Sequence, residues 1–159
     1  MTTTLTEADV TCVGDIAFAD ARQLLARHDL LLHHVAEGEP IPGSYWGEPE
    51  AGIIGSNVYV RDDTPVHSML HEACHLIVLP PERRALVHTD ATDSVAEEDA
   101  TCYLQIVLAG QLPGVGSARL MADMDAWGYT YRLGSTQAWF EQDADDARAW
   151  LLERGLPVA

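Results

Sequence analysis

Residues 64–81 constrain this chain more than any other stretch. Thr64-Pro65 is helix-opening chemistry, because Thr can cap and Pro suits the first helical position. Pro80-Pro81 ends the segment, because the residue before a proline is pushed out of the helical region. Between these marks, Val66, Met69, Leu70, Ala73 and Ile77 recur at helical spacing and make an apolar face. Whatever else the chain does, it must bury that helix against the rest.

The same helix carries His71-Glu72-Ala73-Cys74-His75. Residues four apart lie one above the other on a helix, so two imidazoles at this spacing can reach one ion. A Zn²⁺ ion takes histidine nitrogens at about 2.0–2.1 Å. Glu72, beside the first histidine, would then stand where a proton leaves a water activated by the metal. The plainer account is a pair of surface histidines, but the motif falls inside an expected helix, as the chemistry requires. His₂-carboxylate ligation does not choose between Zn²⁺, Fe²⁺ and Mn²⁺.

Two histidines leave a catalytic site one protein ligand short. The extended form HExxHxxGxxH fails, since position 78 is Val and position 81 is Pro. The run Ala96-Glu97-Glu98-Asp99-Ala100 follows on a second expected helix, and Asp90 and Asp93 precede it. A helix returning antiparallel can bring one of these carboxylates to the metal. Glu97 has a competing use: Ser94-Val95-Ala96-Glu97 fits a capping box.

Around these motifs the pattern changes once. From Asp15 to about Arg27 the spacing predicts a helix, and Leu30 to Val35 a short strand. Gly- and Pro-rich turns over 37–49 separate further strand pieces at Ser44–Trp46, Ala51–Ile54 and Asn57–Arg61, where Val58 and Val60 share a face. After the HExxH helix and a polar loop from Glu82 to Asp93, helices are expected from Ser94 to Leu108, Ser117 to Trp127 and Thr136 to Arg154. Residues 1–14 read as a loose segment and 15–159 as one domain. The order argues for an α+β fold, a small and largely antiparallel sheet packed on the HExxH helix and a helical C-terminal part.

With this element order and the run Glu97 to Leu104, the chain resembles the gluzincin metallopeptidases, closest to the minimal ImmA/IrrE-type members. Their helix after HExxH reads E-x-E-A-N-x-F-A; here it reads Glu97-Glu98-Asp99-Ala100-Thr101-Cys102-Tyr103-Leu104. The resemblance covers roughly residues 15–110. It implies a zinc-dependent peptidase with His71, His75 and Glu97 as ligands and Glu72 as general base. Thr101 stands where the family usually has an Asp or Asn that supports a metal-bound histidine. His88, Tyr129 and Tyr131 are candidate donors to the oxyanion of a tetrahedral intermediate. Ile53, Ile54 and Gly55 form a candidate strand edge for an extended substrate. An amidase using the same chemistry, and a non-catalytic metal-binding regulatory module, are the other readings.

Charge narrows the partners. The chain has 25 acidic residues against nine basic ones, all Arg, for a formal net charge of −16. Such a surface repels phosphate backbones and anionic lipid heads, so a protein or peptide substrate is expected, and neither nucleic acid nor membrane. The three cysteines, Cys12, Cys74 and Cys102, follow no disulfide spacing. Met1 to Leu5 carry no basic stretch leading into an apolar run, and the apolar run Leu76 to Leu79 stops at the prolines. The expectation is therefore a reducing, cytoplasmic setting.

Overall fold

The computed structural model describes residues 10–44, 49–88, 94–129, 131 and 133–159. Among them are a short 3-10 turn (Val13–Asp15) and seven α-helices: α1 (Phe18–Ala26), α2 (Val66–Ile77), α3 (Pro81–Arg84), α4 (Val95–Ala109), α5 (Gly116–Trp127), α6 (Thr136–Gln142) and α7 (Asp145–Glu153). Three strands, β1 (Leu31–His34), β2 (Gly52–Ile54) and β3 (Asn57–Val60), form one sheet in the order β1-β3-β2. The fold is α+β.

The sheet is mixed rather than largely antiparallel. Leu32 pairs with Val58 in a parallel ladder, while Ile53 pairs with Val58 from the other side in an antiparallel one. The two-residue turn at Gly55-Ser56 makes β2 and β3 a hairpin, with Gly55 at φ +60° as such turns require. Because β2 lies on the far side of β3, the chain returns to β3 running in the direction of β1. Val58 and Val60 alternate inward into the core, as their period-2 spacing predicts.

β3 leads straight into α2. Thr64 serves the turn instead of the helix cap: its hydroxyl accepts from the Arg61 amide at 2.9 Å. Pro65 takes the capping position, and its carbonyl accepts from Ser68 and Met69 at 3.1 Å. Nine of the twelve residues of α2 are buried, and the three that are not are His71, Glu72 and His75. A helix buried on nearly every side is a central element, and here its one wet strip is the HExxH motif.

α4 packs across α2 and buries Ala100, Leu104, Ile106 and Leu108 into the same core. Removing one such leucine side chain to Ala would cost about 2–5 kcal/mol. The loop between the two helices is more ordered than its polar sequence suggests. Pro80-Pro81 not only ends α2 but starts the single turn α3, with Pro81 at its first position. Arg84 from that turn is buried and donates to the carbonyl of Leu76 at 2.9 Å and of His28 at 3.2 Å. It thereby gives the Leu76 carbonyl, in the last turn of α2, a second donor beside Leu79 N and ties the turn after α1 to it.

The expected last helix is two, broken at Asp143-Ala144. Acidic side chains at the end of α6 oppose its dipole, whereas Asp145 and Asp146 in the first turn of α7 complement that one. Breaking the helix there exchanges an unfavourable placement for a favourable one. Among the described residues, no helix is long and apolar enough to cross a membrane. The expected loose segment over 1–14, the strand piece at 44–46 and the alternative ligands Asp90 and Asp93 fall wholly or partly outside the described residues.

Candidate metal centre

One turn of α2 brings the rings of His71 and His75 to 4.6 Å between centroids, edge to face. The carboxylate of Glu98, from the first turns of α4, lies across both. Its oxygens stand 3.1 Å from His71 Nε2 and 3.2 Å from His75 Nε2. Donor atoms of His71, Glu72 and His75 all lie within 4.8 Å of one another, an arrangement able to hold a metal ion.

Gln105 settles the protonation of this group. Its amide Nε2 donates to the carbonyl of His67 at 3.1 Å, which turns Oε1 toward His71 Nδ1 at 2.6 Å. Oε1 can only accept, so His71 carries its proton on Nδ1. A neutral His71 would then present a bare lone pair on Nε2 to a carboxylate oxygen. Two acceptors cannot face each other at hydrogen-bond distance without a positive charge between or upon them. In the protein alone that charge is a second proton on His71. Burial opposes it, but Tyr129, Cys102 and Glu98 outweigh burial and hold the His71 pKa well above the usual histidine value. His75 goes the other way: burial and the neighbouring His71 pull it down to about 4. Burial also works to raise Glu98, and the two histidines outweigh it and hold Glu98 low.

A divalent cation answers the same demand. Two Nε2 atoms and a carboxylate are a borderline donor set of the kind zinc sites use. With bonds near 2.0–2.1 Å, neighbouring donors of a tetrahedral ion stand about 3.3 Å apart, close to the two separations seen between Glu98 and the histidines. The residues present fit a metal ion.

The structure parts the two adjacent glutamates. Glu97, expected at the metal, turns instead to Arg83 of α3, whose guanidinium grips it at 2.7 and 3.3 Å. Its amide donates to the Ser94 hydroxyl at 3.3 Å, so Ser94 caps the helix as its sequence foretells. Neighbours on a helix point about 100° apart, and the rotation that buries Leu104 and Leu108 aims position 98, not 97, at α2. Thr101 follows Glu97: its hydroxyl donates to the Glu97 carbonyl at 2.8 Å and supports no histidine.

That supporting role belongs to Gln105, which sequence reasoning passed over. The signal was present in the spacing, since Glu98 and Gln105 are seven apart and so share a helix face. Glu50 was also passed over. It reaches the site from the segment before β2, accepting from the Ser68 hydroxyl at 3.0 Å, and burial raises its pKa even though Ser68, His71 and Trp127 counter it.

Of the other expected site residues, the tyrosines are nearest. Tyr129 lies edge-on to His71 at 5.9 Å between centroids, and its hydroxyl is 3.3 Å from His67 Nδ1. Burial pushes its pKa up to about 12, so it remains a donor. Tyr131 stacks on Trp139 at 4.9 Å, with its hydroxyl buried and unpartnered among the described residues. His88 is exposed, is not one of the clustered donors His71, Glu72 and His75, and pairs through its backbone with Ile54.

The edge at Ile53, Ile54 and Gly55 needs correcting on one point. Its outer side is already used by the protein itself. Ile53 N donates to Gly43 O at 3.3 Å and Gly55 N to Val87 O at 2.8 Å. Gly52 does permit close approach, but of this chain's own backbone: a Cβ there would stand 1.9 Å from Pro42 O. A separate depression of about 860 Å³, lined by Val10, Thr11, Arg119 and Asp123 among others, contains none of the donor residues.

Comparison with known proteins finds no matching family model, no matching curated protein and no matching solved structure.

Proposed function

We propose that this protein is a zinc-dependent hydrolase acting on a peptide bond, with His71, His75 and Glu98 as ligands and Glu72 as general base. The observation that carries the reading is the meeting of His71 Nε2 and His75 Nε2 with the two oxygens of Glu98, over the single wet strip of an otherwise buried helix. A Zn²⁺ ion supplies a Lewis acid that polarises a carbonyl and makes hydroxide available near neutral pH.

The chain's own residues do the rest. Glu72 takes the proton from the attacking water on a carboxylate oxygen and delivers it to the nitrogen of the leaving amine, so the C–O bond forms as the C–N bond breaks. Gln105 holds His71 in the tautomer that leaves Nε2 free to bind. The Tyr129 hydroxyl donates to the oxygen on which charge develops. The covered outer edge of β2 favours a second reading, an amidase, because a small amide needs no strand to pair with.

The test is metal analysis with turnover of a peptide library and of small amides. The expected result is one zinc per chain, with Glu72→Gln keeping the zinc and losing turnover by about 10²–10⁴-fold. A Glu72→Gln variant that stays active, or one that sheds its metal, would sink the assignment. Cleavage of small amides alone would favour the second reading.

A further inference from the structure

The face of α4 that meets α2 carries Glu98, Cys102 and Gln105, at i, i+4 and i+7. Glu98 faces both histidines and Gln105 holds the far nitrogen of His71, so Cys102 lies between two residues that already serve the centre. Its Sγ is 4.0 Å from Glu98 Oε2. Donor atoms of His71, Glu98 and Cys102 all lie within 4.8 Å of one another, a second cluster sharing two members with the site described above. Cys102 is 7 % exposed, so its Sγ is screened from solvent yet beside the donors. Cys74, adjacent in sequence to His75, is fully buried and belongs to neither cluster.

We propose that Cys102 is a thiolate ligand of this metal centre, taking the coordination position that water occupies in the hydrolytic form. The proposal rests on His71, His75 and Glu98 being the other ligands. The centre then has an open His₂Glu form and a closed His₂GluCys form. On closing, the Sγ–H bond would break and its proton leave to solvent, the bound water would leave, and an Sγ–metal bond would form in its place, with no change of oxidation state. Relative to Glu98, the motion needed is small. In a tetrahedral zinc site, a sulfur at about 2.3 Å and an oxygen at about 2.0–2.2 Å stand roughly 3.5 Å apart. The gap in the structure is half an ångström wider.

Two consequences follow from the chemistry of sulfur. The centre prefers soft ions such as Cd²⁺ over Mn²⁺ more strongly than a nitrogen-and-oxygen site would. The closed form has no place for water, so Cys102 is a brake on hydrolysis internal to the site.

The test is titration of the full-length, reduced protein with Co²⁺, read in the near ultraviolet and the visible. One Co²⁺ per chain with a thiolate-to-metal charge-transfer band is expected. Cys102→Ala should still bind one Co²⁺ and lose the band, while Cys12→Ala and Cys74→Ala keep it. One bound Co²⁺ that depends on His71 but gives no such band overturns the role of Cys102 and leaves the other ligands standing. A band that survives in Cys102→Ala overturns it equally. A chain that binds no Co²⁺ overturns both readings. A second measurement needs no variant: Cd²⁺ should protect Cys102 but not Cys12 from alkylation, mapped by mass spectrometry. Equal alkylation of Cys102 with and without Cd²⁺ overturns the proposal.

Discussion

The seam between α2 and α4 and the outer edge of β2 make opposite use of their polar groups. At the seam, His71 Nε2 and Glu98 stand 3.1 Å apart, a pairing that needs a positive charge upon or between them. Along β2, donors meet acceptors: Ile53 N finds Gly43 O, and Gly55 N finds Val87 O. Both regions carry sequence features that suggest a ligand, a metal motif in one and small residues on a short strand in the other. Of the two, only the seam calls for a positive charge, which a second proton on His71 or a cation in its place can supply. A binding site is better recognised by such a demand for charge than by room for a partner.

The sharpest way to break this contrast is at the seam. Glu98→Gln should lose zinc affinity by more than the 10–100-fold typical of residues that merely orient a ligand, whereas Glu97→Gln should bind zinc nearly as the parent does. Competition with a chelating dye reads both. The reverse order would restore Glu97 as the ligand.

Next in size is the pH dependence that the buried wall of the seam confers. His67 is 1 % exposed, and burial followed by the nearby His71 pulls its pKa down to about 3. The folded value lies below the unfolded one of about 6.5, so the unfolded chain takes up the proton first as pH falls. Stability is therefore full above pH 6.5 and declines below it by about 1.4 kcal/mol per unit, or about 3 kcal/mol by pH 4. Denaturant titrations of the metal-free protein against His67→Phe should show the parent losing more than the variant over that range. Parallel profiles would mean that His67 does not stay neutral.

Gln105→Leu keeps the bulk and removes the acceptor of His71 Nδ1. Zinc affinity should fall by about 10–100-fold with stoichiometry intact. An unchanged affinity would show that some other group fixes the His71 tautomer.

The smallest effect is expected at the strand. Ile53→Pro removes the amide that reaches Gly43 O and should cost stability, by about 1–3 kcal/mol for the stranded partner. Metal content should not change. A stable variant with weakened peptide affinity would mean that this edge opens to receive substrate after all.

Much of this was legible in the chain. Thr64-Pro65 and Pro80-Pro81 bracket α2 to within two residues, and the alternation of Val58 and Val60 marks β3, because local sterics and burial periodicity act over a few residues. The spacing of His71 and His75 guarantees their convergence, since helix geometry alone puts i and i+4 on one face. Three matters lay beyond such reasoning. The direction of β1 against β3 depends on which side of the sheet the hairpin takes. The coverage of β2 depends on residues 43 and 87 arriving from distant loops. That Glu98 and not Glu97 faces the histidines depends on the rotation of α4 about its own axis, which the packing of Leu104 and Leu108 fixes and Arg83 completes by claiming Glu97. Local sequence sets what each helix can offer, but a carboxylate becomes a ligand only through the azimuth at which two helices meet, and that angle is decided by side chains many residues apart.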